Sequence, residues 1–139
     1  MPTLTLVRGL PGSGKTTWTK NNAVKWSRAI AADDYMVDEA GNYAFNPARL
    51  TWAHQQCQLA TRFHLRRLRN WDEAEVYVHN TFTQQWEMDP YLRIAKDLGV
   101  EVKVVDLYDA GLTDEELAAR NTHGVPVETI AKMRARYER

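Results

Sequence analysis

The sequence predicts an α/β domain with a parallel sheet of about four strands and helices on both faces. Three observations carry this expectation. Short apolar or β-branched runs alternate with stretches of helical period, which favours parallel strands joined by crossover helices. A glycine-rich turn joins the first such run to the first helix. The length of 139 residues fits one domain, taken as residues 1–139.

The elements follow in order. Thr3-Leu4-Thr5-Leu6-Val7-Arg8 reads as a buried strand that stops at Gly9, and a helix is predicted from Lys15 to about Trp26. Ala29 to Ala32 is a second short strand, with Asp33 and Asp34 at its C-terminal tip, where open parallel sheets place ligands. Asn46-Pro47 offers an N-cap with proline at the first helical position. Leu50, Ala53, Cys57, Ala60, Leu68 and Trp71 then recur at helical spacing, widened by Leu59 and Phe63, and predict a long helix to about Asn70.

Glu75 to Asn80 is the third strand. Thr83 caps a short turn, Pro90 restarts a helix and Gly99 closes it. Val100 to Leu107 is the fourth strand, ending beside Asp106. Thr113-Asp114-Glu115-Glu116 fits a capping box for a helix to Asn121, and Pro126 opens the last helix.

Eighteen basic residues balance eighteen acidic ones, so no whole-molecule field recruits nucleic acid, and any such contact has to be a local patch. Cys57 stands alone and cannot form an internal disulfide; it lies on an apolar stripe and reads as a small core residue. The N-terminal MPTLTLVRGLPG has no basic and long apolar leader, which points to the cytoplasm, that of a host cell if the chain is viral. No run approaches the length needed to cross a bilayer, so no membrane role is expected.

Gly9-Leu10-Pro11-Gly12-Ser13-Gly14-Lys15-Thr16 fits G-x-x-x-x-G-K-[ST] between a predicted strand and a predicted helix, the context of a P-loop NTPase. The glycines let backbone N–H groups turn inward around a polyphosphate, and the helix N-terminus adds partial positive charge. Gly9, Pro11, Gly12, Ser13, Gly14, Lys15, Thr16 and Thr17 are therefore candidates for binding ATP or GTP. Lys15 reaches for the β- and γ-phosphates and Thr16 offers its hydroxyl to Mg²⁺.

The segments RGLPGSGKTTW, DDYMVDEAGNYAFNP, NTFTQQWEMDPY and ARNTHGVPVETIAKMRARYE cover most of the chain. In them it resembles the small P-loop kinases related to the kinase half of bacteriophage polynucleotide kinase-phosphatase. It also resembles short animal relatives first described as ubiquitin-ligase-binding proteins. The resemblance implies an adenylate-kinase-like P-loop fold with a C-terminal helical lid. It implies that Asp33 is the general base on the acceptor hydroxyl and that Asp34 is a helper or structural partner. Arg120 would be a lid cation on the nucleotide phosphates and His123 a second, weaker one. The residues agree: two acids at a strand tip opposite the phosphate loop are what phosphoryl transfer to an alcohol needs.

Two departures bear on the acceptor. An arginine that holds the acceptor in the polynucleotide kinase is replaced by Met36, and an aspartate at the end of the third strand is replaced by Asn80, a neutral group that orients a phosphate, water or Mg²⁺ ligand. Trp18, Trp52 and Trp86 are candidates for an acceptor cleft, with core packing the alternative. Arg62, His64, Arg66, Arg67 and Arg69 form a basic helix segment beside Phe63 and Trp71, suited either to a nucleic-acid backbone or to a solvated face.

The expected activity is ATP-dependent phosphorylation of a hydroxyl on DNA or RNA, first of all a polynucleotide 5′-hydroxyl. Phage-type phosphorylation of hydroxymethylpyrimidine in DNA is the alternative with the same chemistry. A nucleotide-binding ATPase switch or adaptor, and a small-molecule nucleotide kinase, are the other readings.

Overall fold

Alternating β-branched and apolar residues make Thr3–Gly9 an extended strand, β1, buried on both sides over most of its length. In the computed structural model, which describes residues 1–139, it is a central strand of a four-stranded parallel sheet in the order β2-β3-β1-β4. The others are β2 (Ser27–Ile30), β3 (Glu75–Asn80) and β4 (Glu101–Tyr108). β1 pairs with β3 from Thr3↔Glu75 to Arg8↔Asn80, and with β4 from Thr3↔Glu101 to Arg8↔Asp106. All four strands run one way, so the loops after β1, β2 and β3 open on the same edge.

The pleat sorts the core. Leu4, Leu6, Ile30, Val76 and Val78 bury one face against α2 (Leu50–Arg67) and α3 (Asp89–Leu98), with Ala53, Cys57, Leu65, Tyr91 and Ile94 as the facing residues. On the opposite face α1 (Lys15–Asn22) lays Trp18 edge-on against Tyr77 of β3, centroids 6.3 Å apart. A second cluster of Leu10, Leu117 and Ile130 joins the loop after β1 to α4 (Asp114–Arg120) and α5 (Val127–Arg136). β4 is an edge strand, and its Val104 is half exposed.

The predicted elements are all present, with shifted ends. Helix α1 stops at Asn22 rather than near Trp26, because Ala23 is extended. Helix α2 is preceded by a 3-10 turn over Pro47–Arg49, in which Asn46 Oδ1 accepts from the Ala48 N–H at 3.0 Å. It ends at Arg67, where Leu68 leaves helical geometry and turns inward, so Leu68 and Trp71 belong to the exit turn. Strand β2 lies two residues earlier than expected. Beyond Ile30, side chains take the backbone donors: Ala31 N–H bonds Asp34 Oδ2 and Ala32 N–H bonds Asn80 Oδ1. A 3-10 turn, Ala32–Tyr35, results. Before α3, a further such turn covers Gln85–Met88; Gln84, not Thr83, is its cap residue, and the Thr83 hydroxyl donates to Glu87 Oε1. The Thr113 capping box forms as read, with α4 ending one residue early at Arg120.

Candidate active site

The loop from Gly9 to Thr16 wraps the end of β1 and leads into α1. Gly12 and Gly14 hold φ of +82° and +99°, the left-handed region in which a side chain is strained. Gly12 also has no room for one, since a Cβ there would run into the carbonyl oxygen of Leu117 on α4. Gly9 likewise faces the Ser13 hydroxyl too closely to carry a side chain. Pro11 and Ser13 are buried, while Thr16 and Thr17 are exposed on the first turn of α1.

Two groups in this loop lack outside partners. The buried Ser13 Oγ has no hydrogen-bond partner, and the Lys15 ammonium donates only to its own loop, to Gly9 O at 2.8 Å and Leu10 O at 3.1 Å. Burial lowers the Lys15 pKa to about 8, and the opposing influence comes from Asp33. A buried cation with carbonyls for company and a carboxylate nearby fits a polyphosphate, as does the cradle formed at Gly12 and Gly14. Thr16 stands exposed on the first turn of α1 and is the residue that would offer a hydroxyl to a divalent ion. No group of three or more His, Cys, Asp or Glu side chains forms a metal cage, so such an ion would draw its other ligands from phosphate and water.

Asp33 and Asp34 sit in the turn after β2, both exposed, and the turn separates their jobs. Asp34 points back and caps Ala31 N–H at 3.0 Å. Asp33 points outward and meets two side chains: Tyr43 Oη, 3.5 Å from Oδ1, and His123 Nε2, 3.4 Å from Oδ2. Asn80, nearly buried, ties the turn to β3 through Ala32 N–H at 2.8 Å. Its oxygen is thus engaged with backbone, and its buried Nδ2 has no partner. Arg120, the last residue of α4, leans over the phosphate loop, its guanidinium 3.8 Å from where a Gly14 Cβ would stand. The candidates Lys15, Asp33, Arg120 and His123 therefore gather at one edge of the sheet.

Several residues on this edge escaped the sequence reading. Tyr43 is one; its phenol is pushed up to about 12 by burial and by Asp33, so it stays a hydrogen-bond donor. His54 on α2 stands near Asp33 and His79 on β3 near both aspartates, and burial is the main cause that lowers the pKa of each. Other features prove structural. Met36 lies in the main core with 1% of its surface exposed, so its side chain is closed off from any acceptor. Cys57 is fully buried, which pushes its thiol up to about 12. Asp106 is taken by Arg8 at 3.6 Å and by the Tyr137 hydroxyl at 2.7 Å.

The basic segment of α2 does not join the site. Helix α2 starts beside the Asp33 turn, where Trp52 meets Tyr35 at 5.9 Å, and runs away from it toward the start of β3. Arg66 and Arg67 lie at the far end, near the exposed Trp26–Trp71 pair that flanks the strand starts.

The chain is similar to known proteins in sequence and in fold. The AAA_33 family, described as an AAA domain, matches residues 4–139. The chain belongs to this family. NEDD4-binding protein 2 of Homo sapiens is 32% identical over 142 residues, an alignment that takes in 98% of this chain but only 8% of that protein. A chain in the structure of the Pnkp1/Rnl/Hen1 RNA repair complex superposes with a TM-score of 0.70 at 19% identity, covering 97% of this chain and 43% of that one. The AvrRxo1-ORF1:-ORF2 complex with ATP gives 0.60 at 17% identity, over 96% of this chain and 46% of the neighbour. At these identities the solved structures establish the fold. The AAA_33 domain here has the α/β fold of a P-loop NTPase, and none of its helices is long and apolar enough to cross a membrane.

Proposed function

We propose that this domain transfers the γ-phosphoryl group of ATP to a hydroxyl of a nucleic acid, with a polynucleotide 5′-hydroxyl as the first candidate. The observation that carries the proposal is the arrangement of Lys15, Asp33 and Arg120, a phosphate-directed cation, an outward carboxylate and a lid cation on one sheet edge. A domain that only bound nucleotide would not need Asp33 turned outward while Asp34 caps the turn.

In this reading Asp33 takes the proton of the acceptor hydroxyl as its oxygen bonds to the γ-phosphorus. The bond from phosphorus to the β–γ bridging oxygen breaks, and ADP leaves with the electron pair. Lys15 and Arg120 hold the phosphoryl oxygens and offset the charge that shifts toward ADP. Thr16 would hold Mg²⁺, which would supply further charge neutralisation. The RNA repair complex and the ATP complex among the structural neighbours support the substrate pair.

The acceptor side has its own wall. With Met36 sealed in the core, the surface next to the Asp33 turn is made by Tyr35, Trp52 and Arg49, whose guanidinium stacks 4.5 Å above the Trp52 ring. An aromatic face with a cation suits a base and its phosphate, and it equally suits a base flipped out of a strand, which keeps the hydroxymethylpyrimidine reading alive. The α2 arginines reach only a strand long enough to follow the helix, about 27 Å at ~1.5 Å per residue.

Asp33→Asn tests the assignment. Transfer should fall by about 10²–10⁴-fold with ATP affinity nearly intact, and Asp34→Asn should cost less. Wild-type transfer by Asp33→Asn would refute the proposal.

A further inference from the structure

The stretch from Arg120 to His123 reaches both halves of the site. Arg120 stands over Gly14 on the donor side, and His123, three residues on, meets Asp33 on the acceptor side. Asn121 fixes the bend between them. Its Nδ2 donates to Ala118 O at 2.9 Å and Val125 O at 3.1 Å, and its Oδ1 accepts from the N–H groups of His123 and Val125. All four bonds come from one side chain, so the two lid residues move as a unit.

Across from the lid, a turn closed by the Val37↔Tyr43 bridge and by Asp38 presents Tyr43. Its ring packs on the His123 imidazole with centroids 4.0 Å apart and planes tilted by 41°. The two side chains between them touch both oxygens of Asp33. Their distances of 3.5 and 3.4 Å exceed those of strong hydrogen bonds, so each contact is weak and readily exchanged.

We propose that His123, backed by Tyr43, is a guard on the Asp33 carboxylate that suppresses hydrolysis of ATP by water. This deepens the proposed transfer reaction and rests on Asp33 being its base. His123 and Tyr43 each rest against one oxygen of Asp33, whose side chain is otherwise half exposed. A water molecule reaches the carboxylate but has no other contacts to hold it in line with the γ-phosphorus in place of the imidazole. An acceptor hydroxyl arrives on a molecule held elsewhere in the cleft, and that remote binding energy lets it take the place of His123. Without the guard, Asp33 removes a proton from water, the water oxygen bonds to the γ-phosphorus, and the bond to the bridging oxygen of ADP breaks, releasing inorganic phosphate. His123 is thus a positioning residue, and the quantity it sets is the partition between transfer and hydrolysis.

The test follows release of inorganic phosphate from γ-labelled ATP without acceptor. The proteins are the wild type, His123→Ala, His123→Gln, Tyr43→Phe, Asp33→Asn and the double variant His123→Ala/Asp33→Asn. His123→Ala should raise acceptor-free hydrolysis about tenfold, the size expected for losing one modest polar contact in competition with water. His123→Gln keeps an N–H donor and should restore most of the suppression; Tyr43→Phe should give a smaller rise. The increase should vanish in the double variant. Unchanged hydrolysis in His123→Ala, or a rise that persists in the double variant, would overturn the guard. If the guard alone is wrong, Asp33→Asn still loses transfer to an acceptor. If Asp33 is not the base, that variant keeps transfer and both readings fall.

Discussion

Asn80 Oδ1 accepts the backbone N–H of Ala32 at 2.8 Å, so the tip of β3 holds the turn that carries Asp33. At this position the polynucleotide kinase resemblance leads one to look for a carboxylate, yet what the turn uses is an acceptor oxygen. Asn80→Asp keeps that oxygen, whereas Asn80→Ala leaves a buried N–H without a partner, at a cost of about 1–3 kcal/mol. Denaturant unfolding should therefore show Asn80→Ala to be less stable than the wild type, with transfer reduced as the Asp33 turn loosens. Equal stability of Asn80→Ala and wild type would contradict this role.

Lys15 gives a pH signature. Burial holds its pKa down to about 8, so the free domain loses the proton as pH rises through that value, while a polyphosphate favours the charged form. ATP affinity should be flat at lower pH and weaken above about 8, by at most about tenfold per pH unit. Titrations between neutral and alkaline pH check this, with Lys15→Ala weak and without that slope. A flat profile for the wild type would show that the lysine does not meet the phosphates.

Arg8 anchors the far side of the site. Its buried guanidinium donates to Phe82 O at 2.6 Å and Thr83 O at 3.3 Å, faces Asp106, and lies 4.4 Å from the Tyr137 ring centre. The C-terminal tail is fastened to the same loop, since Glu138 N–H bonds Thr83 O and Arg136 bonds the Thr83 hydroxyl. Arg8→Met should cost about 3–5 kcal/mol, because it strips a buried partner from carbonyls and a carboxylate. It should also free the tail to proteolysis. An unmoved unfolding midpoint would contradict the anchoring.

The parts of this site that sequence made legible are those whose partners lie close along the chain. The phosphate loop is one contiguous segment, and the Thr113–Glu116 cap closes within four residues. Asn80 and Arg8 were legible as residues but not as roles, since their partners stand 48 and 74 positions away. Tyr43 lies in a loop with no periodicity, and only the fold brings it to Asp33. Met36 misled for the opposite reason. A residue two positions after the exposed Asp34 looks accessible, but the 3-10 turn rotates it into the core. The basic stretch of α2 was readable as charge; its distance from the site is a consequence of helix direction.

Transfer to a nucleic-acid hydroxyl is decided by a choice among acceptors. Three acceptors meet the wild-type domain and γ-labelled ATP under a single condition: an oligonucleotide with a free 5′-hydroxyl, one blocked at that end but carrying hydroxymethylpyrimidines, and a free nucleoside. Label on the first acceptor is the result this account predicts, and label on the second would keep the chemistry while moving it to the base. Label on the nucleoside alone, or phosphate release with no labelled acceptor, would contradict it.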